Sequence, residues 1–179
     1  MTAAVKTRPA ARDVVTFHLG KEVLAVPATH LREVLEPVAI TRVPGAPDFV
    51  SRLINVRGTV VPLADLRVPL RMPLAAQGAH ARIMVLDLTL DGQDAVVGIF
   101  ADSVHEVTHL SADDLEDIPP VGTRWPPRFV EAVGRWGGAF VTIPDLAAIF
   151  AEFLTGQIGR TTLGGARTAS ANQPEPEFP

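Results

Sequence analysis

Two stretches of this chain repeat each other. Phe49–Leu66 (FVSRLINVRGTVVPLADL) aligns without a gap, over eighteen positions, with Phe129–Leu146 (FVEAVGRWGGAFVTIPDL). Six positions are identical: Phe49/Phe129, Val50/Val130, Gly58/Gly138, Val61/Val141, Asp65/Asp145 and Leu66/Leu146. Several others exchange one apolar residue for another. Upstream, Leu31-Arg32-Glu33-Val34 matches Val104-His105-Glu106-Val107, and Pro44 and Pro119 fall between the matched blocks. The offset grows from 73 to 80, so the second copy carries seven more residues in its connecting loops. Ordered blocks of this kind describe one supersecondary unit used twice. The copies are short, roughly 60–75 residues, and units of that size are marginal alone. They must dock or share a core.

Within each copy the pattern is β. Val14–Leu19 and Glu22–Val26 flank a Gly20-Lys21 turn, and Ile83–Leu88 and Ala95–Phe100 flank Asp91-Gly92. Val- and Ile-rich runs around such turns read as hairpins, and several of them as small barrels. Short helices are expected at His30–Leu35, Ala46–Arg52, Ser111–Asp117 and Asp145–Leu154. In the third, Ser111 and Asp114 stand at capping-box spacing. Residues 1–12 and 155–179 are expected to be flexible, because Gly, Pro and polar residues bury too little to offset their ordering entropy. The ordered region is 13–154, with a break at Arg71–Ala81 between a first lobe of about 13–72 and a second of about 81–154.

Composition removes several chemistries. There is no cysteine among the 179 residues, so disulfides, zinc ribbons and thiol nucleophiles are excluded. A net charge of −4 argues against a dedicated nucleic-acid binder. The longest apolar run, Ala95–Ala101, is far short of the ~18 residues of a membrane span. With no secretory signal at the N-terminus, the expected compartment is the cytoplasm.

His105-Glu106-Val107-Thr108-His109 matches H-E-x-x-H, and a zinc-dependent hydrolase is the enzymatic alternative it raises. That chemistry needs a helix, on which residues i and i+4 can share one metal. The β-branched Val104, Val107 and Thr108 favour a strand instead, where the imidazoles stand ~13 Å apart. The first copy has no histidine in the equivalent block. No metal or other cofactor is expected. Asp87, Asp91, Asp94 and Asp102 surround turns and read as solvated. A different feature stands out in Leu53–Arg67: Asn55 and Arg57 interrupt an apolar segment, and Gly58 permits a positive φ directly after the arginine. The second copy has Gly137 in place of Arg57.

The block Leu53–Arg67 resembles the signature of the CheW family of chemotaxis adaptors. Its pattern runs Gly, two apolar residues, Asn-Leu-Arg-Gly, any residue, two apolar residues, Pro, an apolar residue, any residue and Asp-Leu-Arg. Leu31–Val34, Ile40–Pro44 and Val104–Val107 fit as well, so the resemblance covers about Asp13 to Leu154. It implies two interlocked five-stranded barrels with a shared apolar core and a groove between them. It implies a non-catalytic adaptor whose partners are the cytoplasmic tip of chemoreceptors and the regulatory domain of a CheA-type histidine kinase. The family's Arg falls on Arg57 and its Glu on Glu33, which look like a structural and coupling pair. The interaction residues so implied are Glu33, Val34, Leu35, Asn55, Val56, Arg57, Gly58 and Val104. Two positions depart from the pattern. Arg52 replaces the family's Gly, and Pro144, replacing an aliphatic residue, points to an edge strand or an early strand end.

Overall fold

The computed structural model describes residues 10–116 and 125–161, with side chains to Phe153. Pro119 and the ends 1–9 and 162–179 lie outside the described residues. The chain forms β1 (Arg12–Leu19), β2 (Glu22–Pro27), β3 (Leu31–Leu35), β4 (Ile40–Arg42), β5 (Arg52–Val56) and β6 (Thr59–Ala64). It continues with β7 (Arg82–Leu90), β8 (Gln93–Ala101), β9 (Ser103–Leu110), β10 (Leu115–Glu116), β11 (Val130–Trp136), β12 (Ala139–Pro144) and α1 (Leu146–Thr161).

These strands make two six-stranded sheets, β10-β11-β12-β2-β1-β9 and β3-β7-β8-β6-β5-β4. Written in the same direction, the sheets match strand for strand: β9 with β3, β1 with β7, β2 with β8, β12 with β6, β11 with β5, β10 with β4. Each sheet therefore takes a hairpin from one half of the chain and four strands from the other. Among the described residues the only parallel joins are β12 with β2 and β6 with β8, where the borrowed hairpin meets its host. The short β4 and β10 bring the strand count to six, where five were expected.

The repeat extends to fine detail. Asp65 N–H donates to Phe49 O and Asp145 N–H to Phe129 O, both at 2.9 Å. A break in register falls at the same place in β3, between Leu31 and Glu33, and in β9, between Val104 and Val107.

Among the described residues, three apolar clusters form the core. Val14, Ala25, Leu110, Ala132, Val141 and Ile143 fill the first sheet's interior, and Ile54, Val61, Leu63, Ile83, Val85 and Phe100 the second's. The largest cluster lies between them, with Phe17, Leu24 and Val26 from one exchanged hairpin and Met84, Leu86 and Ile99 from the other. The hairpin strands β1 and β7 are thus buried on both faces over much of their length, as continuous apolar runs in sequence require. From α1, Phe153 reaches both repeat phenylalanines, at 5.2 Å from Phe49 and 6.0 Å from Phe129 between ring centroids.

Among the described residues only the last of the four expected helices forms, and it runs past Leu154 to Thr161; Asp117, the end of the third, lies outside them. His30–Leu35 is a 3-10 turn ending at His30 followed by β3. Ala46–Arg52 holds a single 3-10 turn, Asp48–Val50. At Ser111 the capping contact exists, with Ser111 Oγ donating to Asp114 Oδ2 at 2.6 Å, but β10 follows it. Pro144 ends β12, but no earlier than Ala64 ends the equivalent β6, and β12 lies inside its sheet, so of the two alternatives the edge strand does not hold and the strand end is at its ordinary place. As the last residue of its strand, matching Ala64 in β6, it leaves the ladder intact.

Candidate protein-interaction site

The β5–β6 hairpin closes through a two-residue turn, Arg57-Gly58, between the paired Val56 and Thr59. Both turn residues have positive φ, +51° and +86°, as in a type I′ turn, whose twist suits a hairpin. Asn55 Oδ1 accepts the Gly58 N–H at 2.8 Å and fixes the turn. A left-handed backbone costs a residue with a Cβ roughly 1–2 kcal/mol. The equivalent turn between β11 and β12 avoids that cost with Gly137 and Gly138, at φ +56° and +82°. The first half thus carries an arginine where the backbone favours glycine.

Arg57 Nη2 donates to Glu33 Oε2 at 3.0 Å. Glu33 lies on β3, at the far end of the sheet order from β5. In a flat sheet those strands would be ~19 Å apart at ~4.8 Å per step, so the contact requires the sheet to curl back on itself. In the other sheet, β9 and β11 meet through rings instead, His105 lying 5.8 Å from Trp136. One unit is closed by an ion pair and the other by an aromatic contact. The Arg57 side chain remains 84% exposed while Glu33 is 21% exposed. The carboxylate is mostly covered and aims the guanidinium, and most of the guanidinium's donors still face solvent.

The other expected residues divide. Val34 is exposed, and its repeat partner Val107 more so, at 60%. They lie on the outer strands of different sheets. Leu35 and Val104 are partly buried against the core. Val56 is a core residue, packed with Ile54 and Val61. Its burial follows from strand alternation on β5, which turns Asn55 outward and Val56 inward. Sequence reading missed Val60, which is 64% exposed two positions beyond Gly58. The signal was present, since Val60 and Val61 must face opposite ways on β6.

The H-E-x-x-H residues all lie on β9, which is extended. His109 Nδ1 instead meets Asp13 Oδ1 at 2.8 Å. Among the described residues no three His, Asp or Glu side chains converge as metal ligands. Asp102, read as a solvated turn residue, is engaged: it accepts the Gly20 N–H at 2.6 Å and pairs with Arg67, whose side chain is only 4% exposed. Asp87 likewise pairs with Arg32, at 2.7 Å.

The family description that matches this sequence is the CheW-like domain, over residues 13–153. The chain belongs to the CheW-like family. This CheW-like chain is 26% identical over 141 residues to the chemotaxis protein CheW of Klebsiella aerogenes, covering 79% of this chain and 82% of that one. It is 30% identical over 105 residues to the chemotaxis protein CheW of Helicobacter pylori, covering 59% and 61% of the two chains. It is 28% identical over 108 residues to the protein PilI of Pseudomonas aeruginosa, covering 60% and 58%. Among solved structures, the scaffolding protein TtCheW of Thermoanaerobacter tengcongensis superposes with a TM-score of 0.68 at 29% identity, covering 78% of this CheW-like chain and 92% of that one. No helix among the described residues is long and apolar enough to cross a membrane.

Proposed function

We propose that this protein is a non-catalytic adaptor, coupling the cytoplasmic tips of chemoreceptors to the regulatory domain of a CheA-type histidine kinase. It works in the cytoplasm and reaches the membrane only through these partners. One observation carries the reading: Arg57 is held in a strained turn, almost wholly exposed and aimed by Glu33. A side chain retained against its backbone preference, and absent from the sister turn, has a task outside the barrel. Arginine is also one of the residues enriched at protein interfaces. The hydrolase alternative loses its support, because β9 holds its two histidines along an extended strand.

The test is capture of a receptor tip fragment and a kinase regulatory domain by the wild type and by Arg57→Ala, with kinase phosphorylation measured in the reconstituted ternary complex. The expected result is loss of receptor-dependent phosphorylation in a variant that remains folded. Full coupling by Arg57→Ala, or failure of the wild type to capture either partner, would overturn the proposal.

A further inference from the structure

In the second sheet, Arg42 of β4 stands directly opposite Arg52 of β5 in the antiparallel ladder. Like charges in register on neighbouring strands repel. Among the described residues neither arginine has an ion-pair partner. Arg52 is fixed by the ring of Phe100, 5.2 Å from its guanidinium carbon, and that contact leaves its charge uncompensated. The sister sheet has Ala132 at the position of Arg52, so the fold itself does not require a cation there.

Both arginines line a recess of about 540 Å³, within the range of small-molecule sites. Ile40, Val68, Leu74 and Ala75 give it apolar walls, and Ser51 and Gln77 add polar groups. Three further charged residues face it. Arg67 is neutralised by Asp102. Asp65 is turned to the backbone N–H of Arg67, at 3.1 Å. Asp48 is exposed at the rim. Asp65 and Asp48 keep their negative charges, so the recess as a whole is close to neutral, and Arg42 and Arg52 are its two guanidiniums without an ion-pair partner among the described residues.

We infer that this recess is an anion site that binds the phosphoryl group of a small organic phosphate. Two adjacent guanidiniums can each give paired N–H donors to a tetrahedral oxyanion, and an anion between them removes their repulsion. A concave recess with apolar walls suits the organic part of a small molecule better than a flat protein surface. The inference is independent of the adaptor reading, because it uses neither Arg57 nor Glu33.

The experiment measures thermal shift and titration calorimetry on the full chain with inorganic phosphate, pyrophosphate and ADP. Sodium chloride at matched ionic strength and a polyglutamate peptide serve as comparisons. The phosphates should raise Tm and bind saturably, ADP more tightly than inorganic phosphate, and chloride should do neither. Arg42→Ala and Arg52→Ala should each weaken binding by about tenfold or more, the value of one or two charged hydrogen bonds. Arg128→Ala, outside the recess, should bind as the wild type does. Without phosphate, Arg42→Ala should melt no lower than the wild type. Equal effects of chloride and phosphate, unchanged binding by both recess variants, or saturable binding of polyglutamate alone would each overturn the inference. A large loss of stability in Arg42→Ala would also overturn it, because the arginine would then be structural.

Discussion

At residue 57, backbone and side chain pull in opposite directions, and this separates stability from coupling. Arg57→Gly removes a left-handed arginine and installs the residue of the sister turn. It should be about 1 kcal/mol more stable than Arg57→Ala, seen as a Tm a few degrees higher. Loss of the exposed ion pair itself costs only ~0–1 kcal/mol. Both variants should nevertheless fail in receptor-dependent kinase activation. If Arg57→Gly kept full coupling, Arg57 would be a turn residue only. The motif around Arg57 was legible in the sequence, and so was its pairing with Glu33, because a family pattern fixed both positions. The positive φ at an arginine was not, since only Gly58 advertised the turn. Nor was the meeting of Arg42 with Arg52, which depends on the register of a three-residue strand.

Among the elements, the turn into β10 and the start of α1 offer separate measurements. The Asp114 carboxyl is held below its ordinary value of 3.8, first by the Ser111 hydroxyl and then by the Ser111 backbone N–H. A lowered folded-state value means that its contribution is present above pH 3.8 and lost as the pH falls through the folded value. Asp114→Asn should therefore melt below the wild type at neutral pH, and the gap should close in acid. A gap independent of pH would rule out the charge as its cause. At α1, Asp145 Oδ1 accepts the Ala148 N–H at 2.9 Å as an N-cap, so Asp145→Ala should cost about 1 kcal/mol in thermal or denaturant melts. Local pattern located the hairpins and α1 but misread His30–Leu35. That segment alternates half-buried and exposed residues, the period of a strand, and is too short for periodicity alone to decide.

For the whole molecule, the exchanged hairpins make the halves interdependent. The two copies and their shared core were readable from the repeat, but the exchange was not, because β2 meets β12 across most of the chain and no local signal records that pairing. Fragments 10–76 and 77–179 should each remain unfolded alone and recover β structure, by circular dichroism, when mixed. Independent folding of either would contradict the exchange. At the crossover from one sheet to the other, Asp102 holds both the β1–β2 turn and the buried Arg67. Breaking a pair with one partner so enclosed costs about 3–5 kcal/mol, so Asp102→Ala should lower Tm by roughly 6–20 °C. A drop of only a degree or two would show that Arg67 finds another partner.

The exchange of hairpins is also the arrangement of a two-fold dimer of half-length chains, joined end to end by the segment between β6 and β7. In such a dimer each surface must occur twice, and any change to one turn is forced on the other. A single polypeptide is free of that constraint. Its two hairpin tips have diverged, one to Arg57 beside Val60 and the other to Gly137 beside Phe140. The joined chain can therefore offer unlike faces to unlike neighbours while keeping one architecture for both, and that is a property no symmetric pair of subunits can have.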